Sequence, residues 1–351
     1  MDTIKIGIIG AAGKRGKELF NLFSQADEDV RVAAVADFNQ EALYEQYGPM
    51  AESVELFTDA DKFFASHGFD VVVVVTPDFL HEEHACAALN SGKHVYLEKP
   101  MAITPQGCDR IIETAEKNHH TLYVGHNLRH FTVIKKLKEV IDSGAIGEVK
   151  AVWCLHPISY GRRNYFNRWH QDCANVGSLL IHKASHDLDV IHWLAGGHTK
   201  RVVAMGNLSV WNDQPGNPNV EDLSSLIMLL NNGVQATYSQ CHFAHLACRE
   251  YMIIGTKGTL RNQDDNPERA VVQLFGKRRA DAQSIPTEEW RFQKEQGFHG
   301  DADKRIIREF IEILRGNVMP TISINDAAWA VKTGYAATQS LRGGNIPIKV
   351  V

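Results

Sequence analysis

The chain has 351 residues, a hydrophobic fraction of 44%, a charged fraction of 23% and a formal net charge of −5. These values are typical of a globular protein with room for two domains, and the negative charge argues against a nucleic-acid partner held by its phosphates. No apolar run is long enough to span a membrane, no secretory signal opens the chain, and six scattered cysteines without a Cys-x-x-Cys pair favour the cytoplasm.

An apolar segment, Ile4 to Ile9, is followed by a glycine-rich turn and then by a helical pattern. This order is the context of a dinucleotide-binding fingerprint, in which glycines let the backbone approach a pyrophosphate at a helix N-terminus. The spacing is G-x-x-G-x-x-G, which by itself also fits a plain strand–turn–helix. The turn residues that we expect to contact a cofactor are Gly10, Ala12, Gly13, Lys14 and Arg15.

The second predicted strand, Val30 to Ala36, ends at Asp37. This acid lies about 20 residues beyond the glycine turn, where a carboxylate accepts hydrogen bonds from the ribose hydroxyls of a bound dinucleotide. No arginine stands close by in the sequence to receive a 2′-phosphate, so the pattern favours NAD over NADP. The alternative is a solvated aspartate at a strand end.

Five consecutive valines, Val71 to Val75, predict a strand buried on both faces at the centre of a parallel sheet. Ligands of such sheets bind beyond the carboxyl ends of the strands. Thr76 and Pro77 follow this strand, and Glu98-Lys99-Pro100 follows the next one, which makes Lys99 a candidate acid–base group. Alternating strands and helices predict a Rossmann-type α/β domain over residues 1–126.

Beyond residue 126 the pattern changes to β-rich segments joined by turns, with a hairpin signal at Asn231-Asn232-Gly233. Strands without intervening helices indicate an antiparallel sheet. Residues 127–351 are therefore predicted to form an α+β domain.

Three motifs together resemble the Gfo/Idh/MocA oxidoreductase family, and the resemblance covers essentially the whole chain. They are Thr76-Pro77-x-x-x-His81, the Glu98-Lys99-Pro100 element after Gly92-Lys93-His94, and Gly125-His126-Asn127-x-Arg129. The resemblance implies that the second domain is built on a large, mainly antiparallel open sheet. The outer face of that sheet often mediates oligomers in the family, so a homo-oligomer, a dimer or a tetramer, is expected.

The same resemblance implies roles for residues of the first domain. Lys99 would contact both substrate and cofactor, and Thr76, Pro77 and His81 would lie by the nicotinamide, with Glu98 beside them. The alternatives are a surface lysine paired with its neighbouring glutamate and a surface histidine at a helix start.

A second chemical centre lies in the segment Gly177 to Leu194, which has a helical apolar pattern. His182 and His186 are four residues apart and would share one helix face. In the resembled family this helix carries an aspartate and, four residues later, a histidine, which act with the lysine on the substrate hydroxyl. His186 matches that histidine, His182 stands in place of the aspartate, and Lys183 adds a charge.

We therefore expect Lys99 and His186 to share the acid–base work, with His182 as a substrate contact or a link in a proton relay. Two alternatives remain: structural histidines, or a zinc site completed by a third ligand. The candidates for that ligand are Asp187, His156 and His242. No spacing fixes such a ligand, and no metal is predicted.

Further substrate contacts are expected from Asn127 and Arg129, which match the family's segment at the floor of the cleft. The loop with Tyr160, Arg163 and Trp169 could stack on sugar rings and bind their hydroxyls, although it also fits a packed surface loop.

The predicted function is an NAD-dependent oxidoreductase that oxidises a secondary hydroxyl of a sugar, glycoside or cyclic polyol, a substrate class implied by the resemblance. A redox-neutral lyase or hydrolase that oxidises a sugar transiently is one alternative. A non-catalytic NAD-binding sensor is another, but it would need neither Lys99 nor His186.

Overall fold

The computed structural model describes residues 3–166, 169–213, 216–276, 285–295, 299 and 301–351. The chain divides into two units, each packed internally. The first comprises Met1–His126 and Asp303–Ala328, and the second comprises Asn127–Ala302 and Trp329–Val351.

The first unit is built on a parallel sheet. Its strands are β1 (Ile4–Ile9), β2 (Val30–Ala36), β3 (Glu55–Phe57), β4 (Val71–Val74), β5 (His94–Leu97) and β6 (Leu122–Val124). They pair in the order β3-β2-β1-β4-β5-β6, with all neighbours parallel. Every residue of β4 is buried, as the valine run predicts for a strand covered on both faces. The predicted Rossmann-type sheet is confirmed.

Helices connect these strands. They are α1 (Lys14–Ser24), α2 (Gln40–Tyr47), α3 (Ala60–Ala65), α4 (His81–Asn90) and α5 (Pro105–Asn118). Local chemistry sets where α5 begins, because Thr104 accepts a hydrogen bond from the Gly107 N–H and Pro105 occupies the first helical position.

The second unit is built on a larger, mostly antiparallel sheet. Its strands are β7 (Val149–Pro157), β8 (Thr199–Asn207), β9 (Leu223–Leu230), β10 (Gln235–Cys241), β11 (Glu250–Gly255), β12 (Thr259–Asn262), β13 (Val271–Phe275), β14 (Glu288–Arg291) and β15 (Ile348–Lys349). Their order is β14-β13-β12-β11-β7-β10-β9-β8-β15, and the pair β7–β10 is parallel. Asn231-Asn232-Gly233 joins β9 to β10 as an antiparallel hairpin, as predicted. The predicted α+β class with a large, mainly antiparallel sheet is confirmed.

The second unit also contains helices. They are α6 (Thr132–Asp142), α7 (Gly161–Tyr165), α8 (Cys173–Val176), α9 (Leu179–His182) and α10 (Ser185–Ala195). Two of them, α6 and α10, pack against the sheet. Leu188 and Ile191 of α10 share a buried core with Val152 of β7 and Leu226 of β9. The core therefore lies between the helices and the inner face of the sheet.

The segment from Gly177 to Leu194 is two helices rather than the single helix that its pattern predicts. The backbone N–H groups of Lys183 and Ala184 both donate to the Leu179 carbonyl, which ends α9 before α10 begins. His182 is the last residue of α9 and His186 the second residue of α10. The expectation of a single helix is therefore wrong, and the two histidines lie on different helices.

Two helices complete the chain, α11 (Ala302–Leu314) and α12 (Ile324–Arg342). Residues 303–328, which the sequence boundary assigns to the second domain, belong to the first unit. Phe310 gives the physical reason, because its ring lies 5.4 Å from Tyr96 and 5.7 Å from Tyr123, both on strands of the first sheet. None of the helices in the described ranges combines the length and apolar composition that a membrane crossing requires.

Candidate functional site

The glycine-rich turn after β1 has two positions where only glycine fits. A Cβ on Gly10, whose φ is +88°, would lie 2.7 Å from the Val75 carbonyl carbon. A Cβ on Gly16 would lie 2.4 Å from the Gly10 carbonyl oxygen, whereas one on Gly13 would come no closer than 3.4 Å. Gly10 and Gly16 thus let the turn pack tightly between β1, α1 and the end of β4.

The N-terminus of α1 has the features of an anion site. Gly13 is its N-cap, and among the described residues no side chain caps this helix, so the backbone amides of its first turn face out of the helix end. Such amides, with the helix dipole, favour a pyrophosphate. The Arg15 side chain does not extend this site, because its guanidinium binds Glu98 at 2.8 Å and Asp303 at 2.8 Å.

Asp37 follows β2 and its carboxylate holds two backbone amides. One oxygen accepts from the Ala12 N–H at 2.9 Å and the other from the Asn39 N–H at 3.0 Å. Each oxygen keeps a second lone pair for a ribose hydroxyl. With the uncapped helix and the close-packed glycines, this carboxylate fits a dinucleotide cofactor. The individual cofactor contacts expected from the sequence stay predictions.

The backbone of Lys99 is held from both sides at the end of β5. Its N–H donates to a carboxylate oxygen of Glu98 at 3.2 Å. On the other side, the Lys99–Pro100 peptide bond is cis, and the Pro100 carbonyl lies 2.7 Å from Nδ1 of His81. These contacts position Lys99 at the carboxyl edge of the sheet, where ligands of such sheets bind.

His81 is buried and both of its ring nitrogens face carbonyl oxygens. Nε2 lies 2.9 Å from the Thr76 carbonyl, while Nδ1 contacts Pro100. The histidine therefore links the turn after β4 to the turn after β5. That His81 flanks the nicotinamide stays a prediction. Both of its ring nitrogens already contact backbone carbonyl oxygens of the protein.

The second unit contains a cavity of about 590 Å³, within the range of small-molecule sites. Four predicted substrate residues line it: Asn127, Tyr160, Lys183 and His186. Its lining also includes residues that the sequence did not single out as a group: Leu128, Phe131, His156, Pro157, Ala247, Cys248, Arg249, Asp264, Asp265, Asn266, Pro267, Glu268, Arg269, Lys294, Glu295 and His299.

His182 does not line this cavity but sits in an aromatic cluster. Its ring lies 4.8 Å from His170, 5.6 Å from Tyr165 and 5.8 Å from Trp169. Trp169 stacks on His170 at 3.8 Å, and Arg163 is exposed on α7. Lys183, the next residue after His182, lines the cavity together with His186.

Arg129 is engaged in a buried ion pair rather than in the cavity lining. Its guanidinium binds both carboxylate oxygens of Asp189, at 2.9 and 2.6 Å, and lies 5.2 Å from the Trp193 ring centre. A two-point contact of this kind fixes the guanidinium plane. The geometry therefore supports a structural role for Arg129, although its predicted contact with substrate stays a prediction.

Sequence reasoning missed the buried network around Asp187. This carboxylate accepts from Arg249 Nε at 2.6 Å, from the Tyr251 hydroxyl at 2.6 Å and from His156 Nδ1 at 2.9 Å. Burial alone would raise the pKa of Asp187, but Arg249 and His156 hold it well below its usual range. Burial, with Arg249, lowers the pKa of His156 to about 3.

The zinc alternative finds no support in this network. Across the described ranges, no group of three His, Cys, Asp or Glu side chains has an arrangement suited to a metal ion. Asp187 and His156, two of the suggested third ligands, bind each other instead. His242, the remaining one, is fully buried with its ring 5.2 Å from Tyr165.

Comparisons with known proteins agree with this architecture. A family model described as the NAD-binding Rossmann fold of the oxidoreductase family Gfo/Idh/MocA matches residues 4–126. The model for the C-terminal alpha/beta domain of that family matches residues 138–350.

Among curated proteins, a 1-carboxy-3-chloro-3,4-dihydroxycyclohexa-1,5-diene dehydrogenase from Comamonas testosteroni is 31% identical over 71% of this chain and 60% of its own length. An inositol 2-dehydrogenase/D-chiro-inositol 3-dehydrogenase from Halalkalibacterium halodurans is 32% identical over 55% of this chain and 53% of its own length. The matched regions thus span a little over half of these relatives.

Among solved structures, an oxidoreductase domain protein from Kribbella flavida aligns over 100% of both chains with a TM-score of 0.86 and 19% identity. Levoglucosan dehydrogenase in complex with NADH and L-sorbose aligns over 100% of both chains with a TM-score of 0.84 and 20% identity. These likenesses establish the fold. Because the two family models together cover most of the chain, this protein belongs to the Gfo/Idh/MocA oxidoreductase family, and residues 4–126 are its NAD-binding Rossmann domain.

Proposed function

We propose that this protein is an NAD-dependent oxidoreductase that oxidises a secondary hydroxyl of a neutral sugar, glycoside or cyclic polyol. The observation that carries the proposal is the position of Lys99, two residues after β5 at the sheet edge where the dinucleotide turn also lies. When bound, NAD accepts a hydride. The protein must then hold the hydroxyl and take up its proton.

Lys99 and His186 are the residues we propose for that proton. The backbone contacts of Lys99 keep its position fixed, and His186 faces the cavity of the second unit. General acid–base catalysis by a positioned side chain contributes about 10²- to 10⁴-fold. Thr76, Pro77 and Glu98 are proposed as cofactor contacts, and Asn127 and Lys183 as substrate contacts.

The charges of the cavity favour a neutral substrate. Its lining contains four cationic and four anionic side chains, not counting histidines. A phosphate or carboxylate substrate would need an excess of positive charge, whereas hydroxyl groups suit a balanced polar wall. The inositol dehydrogenases among the relatives support the same class. Three ion pairs neutralise most of the lining: Arg249 with Asp265, Arg269 with Asp264, and Lys294 with Glu268.

The experiment that tests this function follows NADH absorbance with NAD and a panel of free sugars, glycosides and inositols. Steady NADH formation is expected with at least one neutral compound and should be lost in the Lys99→Ala variant. The matched control is Lys117→Ala, an exposed lysine of α5, which should keep the wild-type rate.

The same assay distinguishes the redox-neutral alternative. A lyase or hydrolase would form no net NADH and would instead release a substituent slowly from a glycoside while its NAD survives purification. Absence of NADH with every compound, in wild-type protein that binds NAD, would contradict the proposed function.

We further propose that the protein forms a homo-oligomer through the outer face of its second sheet. This face carries exposed apolar side chains on neighbouring strands, and a contiguous patch of this kind marks an interaction surface. They are Trp153 and Leu155 on β7, Ile227 on β9 and Met205 on β8. In the strand register, Trp153 and Ile227 flank Thr237 of β10 in one row across the face.

Light scattering after gel filtration tests the oligomer. The wild type is expected to elute as a dimer or tetramer, and Ile227→Asp should shift it toward the monomer because a carboxylate would be buried at the centre of the interface. Leu246→Asp is the matched control, since Leu246 is 63% exposed but lies outside the sheet strands. A monomeric wild type would contradict the proposal.

A cytoplasmic location is also proposed, and the state of the cysteines supports it. All six are free thiols, as expected in a reducing compartment. Immunodetection of the protein in cell fractions would test this location.

A further inference from the structure

The cavity of the second unit contains a pair of side chains that the proposed function does not yet use as chemistry. The ammonium group of Lys183 donates to the hydroxyl oxygen of Tyr160 at 3.3 Å, and the ammonium also lies 5.7 Å from the centre of the Tyr160 ring. Both residues line the cavity together with His186. The phenol oxygen is therefore held at the cavity wall by a cation.

The backbone fixes the position of Tyr160. Two residues before it, the Ile158 N–H donates to the Cys241 carbonyl at 2.7 Å. On its other side, a Cβ on Gly161 would lie 2.3 Å from the His242 carbonyl, so this glycine lets the loop lie directly against the end of β10. The chain around Tyr160 is thus held against the sheet on both sides.

Lys183 is buried, and within the described part of the chain no carboxylate lies at ion-pair distance from it. Burial alone would favour the neutral amine, yet Tyr165 and Tyr160 raise the pKa of Lys183 above its ordinary value. A buried ammonium without a direct carboxylate partner is stabilised by any negative charge that develops on its hydrogen-bond partner. That partner is the Tyr160 oxygen.

The electrostatic surroundings of Tyr160 have the same effect. Lys183 lowers the pKa of Tyr160, Arg249 acts in the same direction, and both burial and Asp265 oppose them. By contrast, burial raises the pKa of the neighbouring Tyr165, which also faces Lys183. Within this cluster, Tyr160 is thus the phenol whose ionised form the protein favours.

We propose that Tyr160 is a further catalytic residue of the cavity, an acid–base group whose phenol oxygen exchanges a proton with the substrate while Lys183 positions it. The inference rests on the proposed function and deepens it. Lys183, which the sequence marked only as an additional charge, then has a defined role. In that role it compensates for the histidine at position 182, where the family has an aspartate.

The proton and electron balance is that of alcohol oxidation. The C–H bond of the carbinol breaks and its electron pair leaves with the hydrogen as hydride for the nicotinamide, while the O–H bond breaks and a C=O double bond forms. The hydroxyl proton passes first to the acid–base pair of the proposed function, Lys99 and His186, and is relayed from that pair to the ionised phenol oxygen of Tyr160. In the reverse direction the phenol returns the proton to the alkoxide oxygen.

A tyrosinate titration tests the pair without requiring activity. The near-ultraviolet absorbance of the wild-type protein is followed as the pH is raised, and the first tyrosinate to form is predicted to be Tyr160. Tyr160→Phe should remove this first step. Lys183→Met should move it up by about 1–3 pH units, the range for one neighbouring charge. Tyr44→Phe, which removes an exposed phenol in the other unit, is the matched control and should leave the first step in place.

Kinetics test the catalytic role. With a substrate found in the panel, Tyr160→Phe is expected to lower kcat by about 100-fold or more, with unchanged NADH binding measured by fluorescence titration. A first tyrosinate step that persists in Tyr160→Phe, or a kcat within twofold of wild type, overturns the inference. A wild-type protein inactive on the whole panel contradicts the proposed function. An active wild type with an equally active Tyr160→Phe variant contradicts the role of Tyr160 alone.

Discussion

The buried ion pair between Arg249 and Asp187 gives a quantitative prediction for the second unit. The Asp187 side chain is fully buried and the Arg249 side chain is 8% exposed. Replacing Arg249 with methionine leaves Asp187, and also the neighbouring Asp265, without their cation. Removal of one partner of a buried pair costs about 3–5 kcal/mol, a large part of a total stability of about 5–15 kcal/mol.

A pair on the surface of the same cavity supplies the matched control. Arg269 binds Asp264 at 2.8 Å, but its side chain is 61% exposed. Such a pair contributes about 0–1 kcal/mol, so Arg269→Met should be nearly neutral. Arg249→Lys should fall between the two methionine variants, because it keeps the charge but loses the planar fork that reaches both carboxylates.

Urea unfolding followed by tryptophan fluorescence is the appropriate assay. All six tryptophans lie in the second unit, so the signal reports on that unit. With an m-value of about 2 kcal/mol/M, Arg249→Met should lower the urea midpoint by about 2 M. A loss no larger than that of Arg269→Met would refute the reasoning that burial makes Arg249 indispensable.

Three further predictions follow from the described contacts. Gly10→Ala and Gly16→Ala should each weaken NAD binding by about tenfold or more, about 1.4 kcal/mol, because the added Cβ would lie under 3 Å from backbone atoms. Gly13→Ala, whose Cβ would come no closer than 3.4 Å, should bind NAD normally. Calorimetric titration measures all three affinities. The pKa of His156 is lowered to about 3 in the folded protein. As the pH falls from about 6.5, the pKa of an unfolded histidine, towards this folded value, only the unfolded chain takes up the proton, so the free energy of unfolding falls by about 1.4 kcal/mol per pH unit. His156→Gln should flatten this slope, measured by urea unfolding at several pH values. An unchanged slope would contradict the assignment. His81→Ala removes the ring whose nitrogens contact the Pro100 and Thr76 carbonyl oxygens. A buried carbonyl oxygen then loses its donor, so the variant should be destabilised by about 1–3 kcal/mol in unfolding followed by circular dichroism, with His81→Gln losing less.

The parts of the fold that could be predicted are those encoded by local pattern. The run Val71 to Val75 predicts its own burial because β-branched residues on both faces need cover on both faces. The glycine turn and Asp37 are readable because their spacing is set by one strand and one helix. The same applies to the hairpin at Asn231-Asn232-Gly233, whose turn chemistry is local.

The parts that could not be predicted depend on contacts between residues far apart in the chain. Asp187 meets His156 and Arg249 only because β7 and β11 pair beside α10, and no spacing in the sequence encodes that meeting. The grouping of residues 303–328 with the first unit depends likewise on where Phe310 packs.

The helix break between His182 and His186 escaped prediction for another reason. Both sides of the break have a helical apolar pattern, and no glycine or proline marks it. In the site itself, Lys183 and His186 line the cavity and His182 does not.

The measurement that most directly tests the account is the rate of NADH formation in a single turnover, by stopped flow, with the best substrate of the panel. Lys99→Ala and His186→Ala are each predicted to lower this rate by about 100-fold or more, and His186→Ala should bind NADH as the wild type does. If His186→Ala forms NADH at the wild-type rate, the assignment of the hydroxyl proton to His186 is contradicted, and if Lys99→Ala does so, the proposed mechanism fails at its centre.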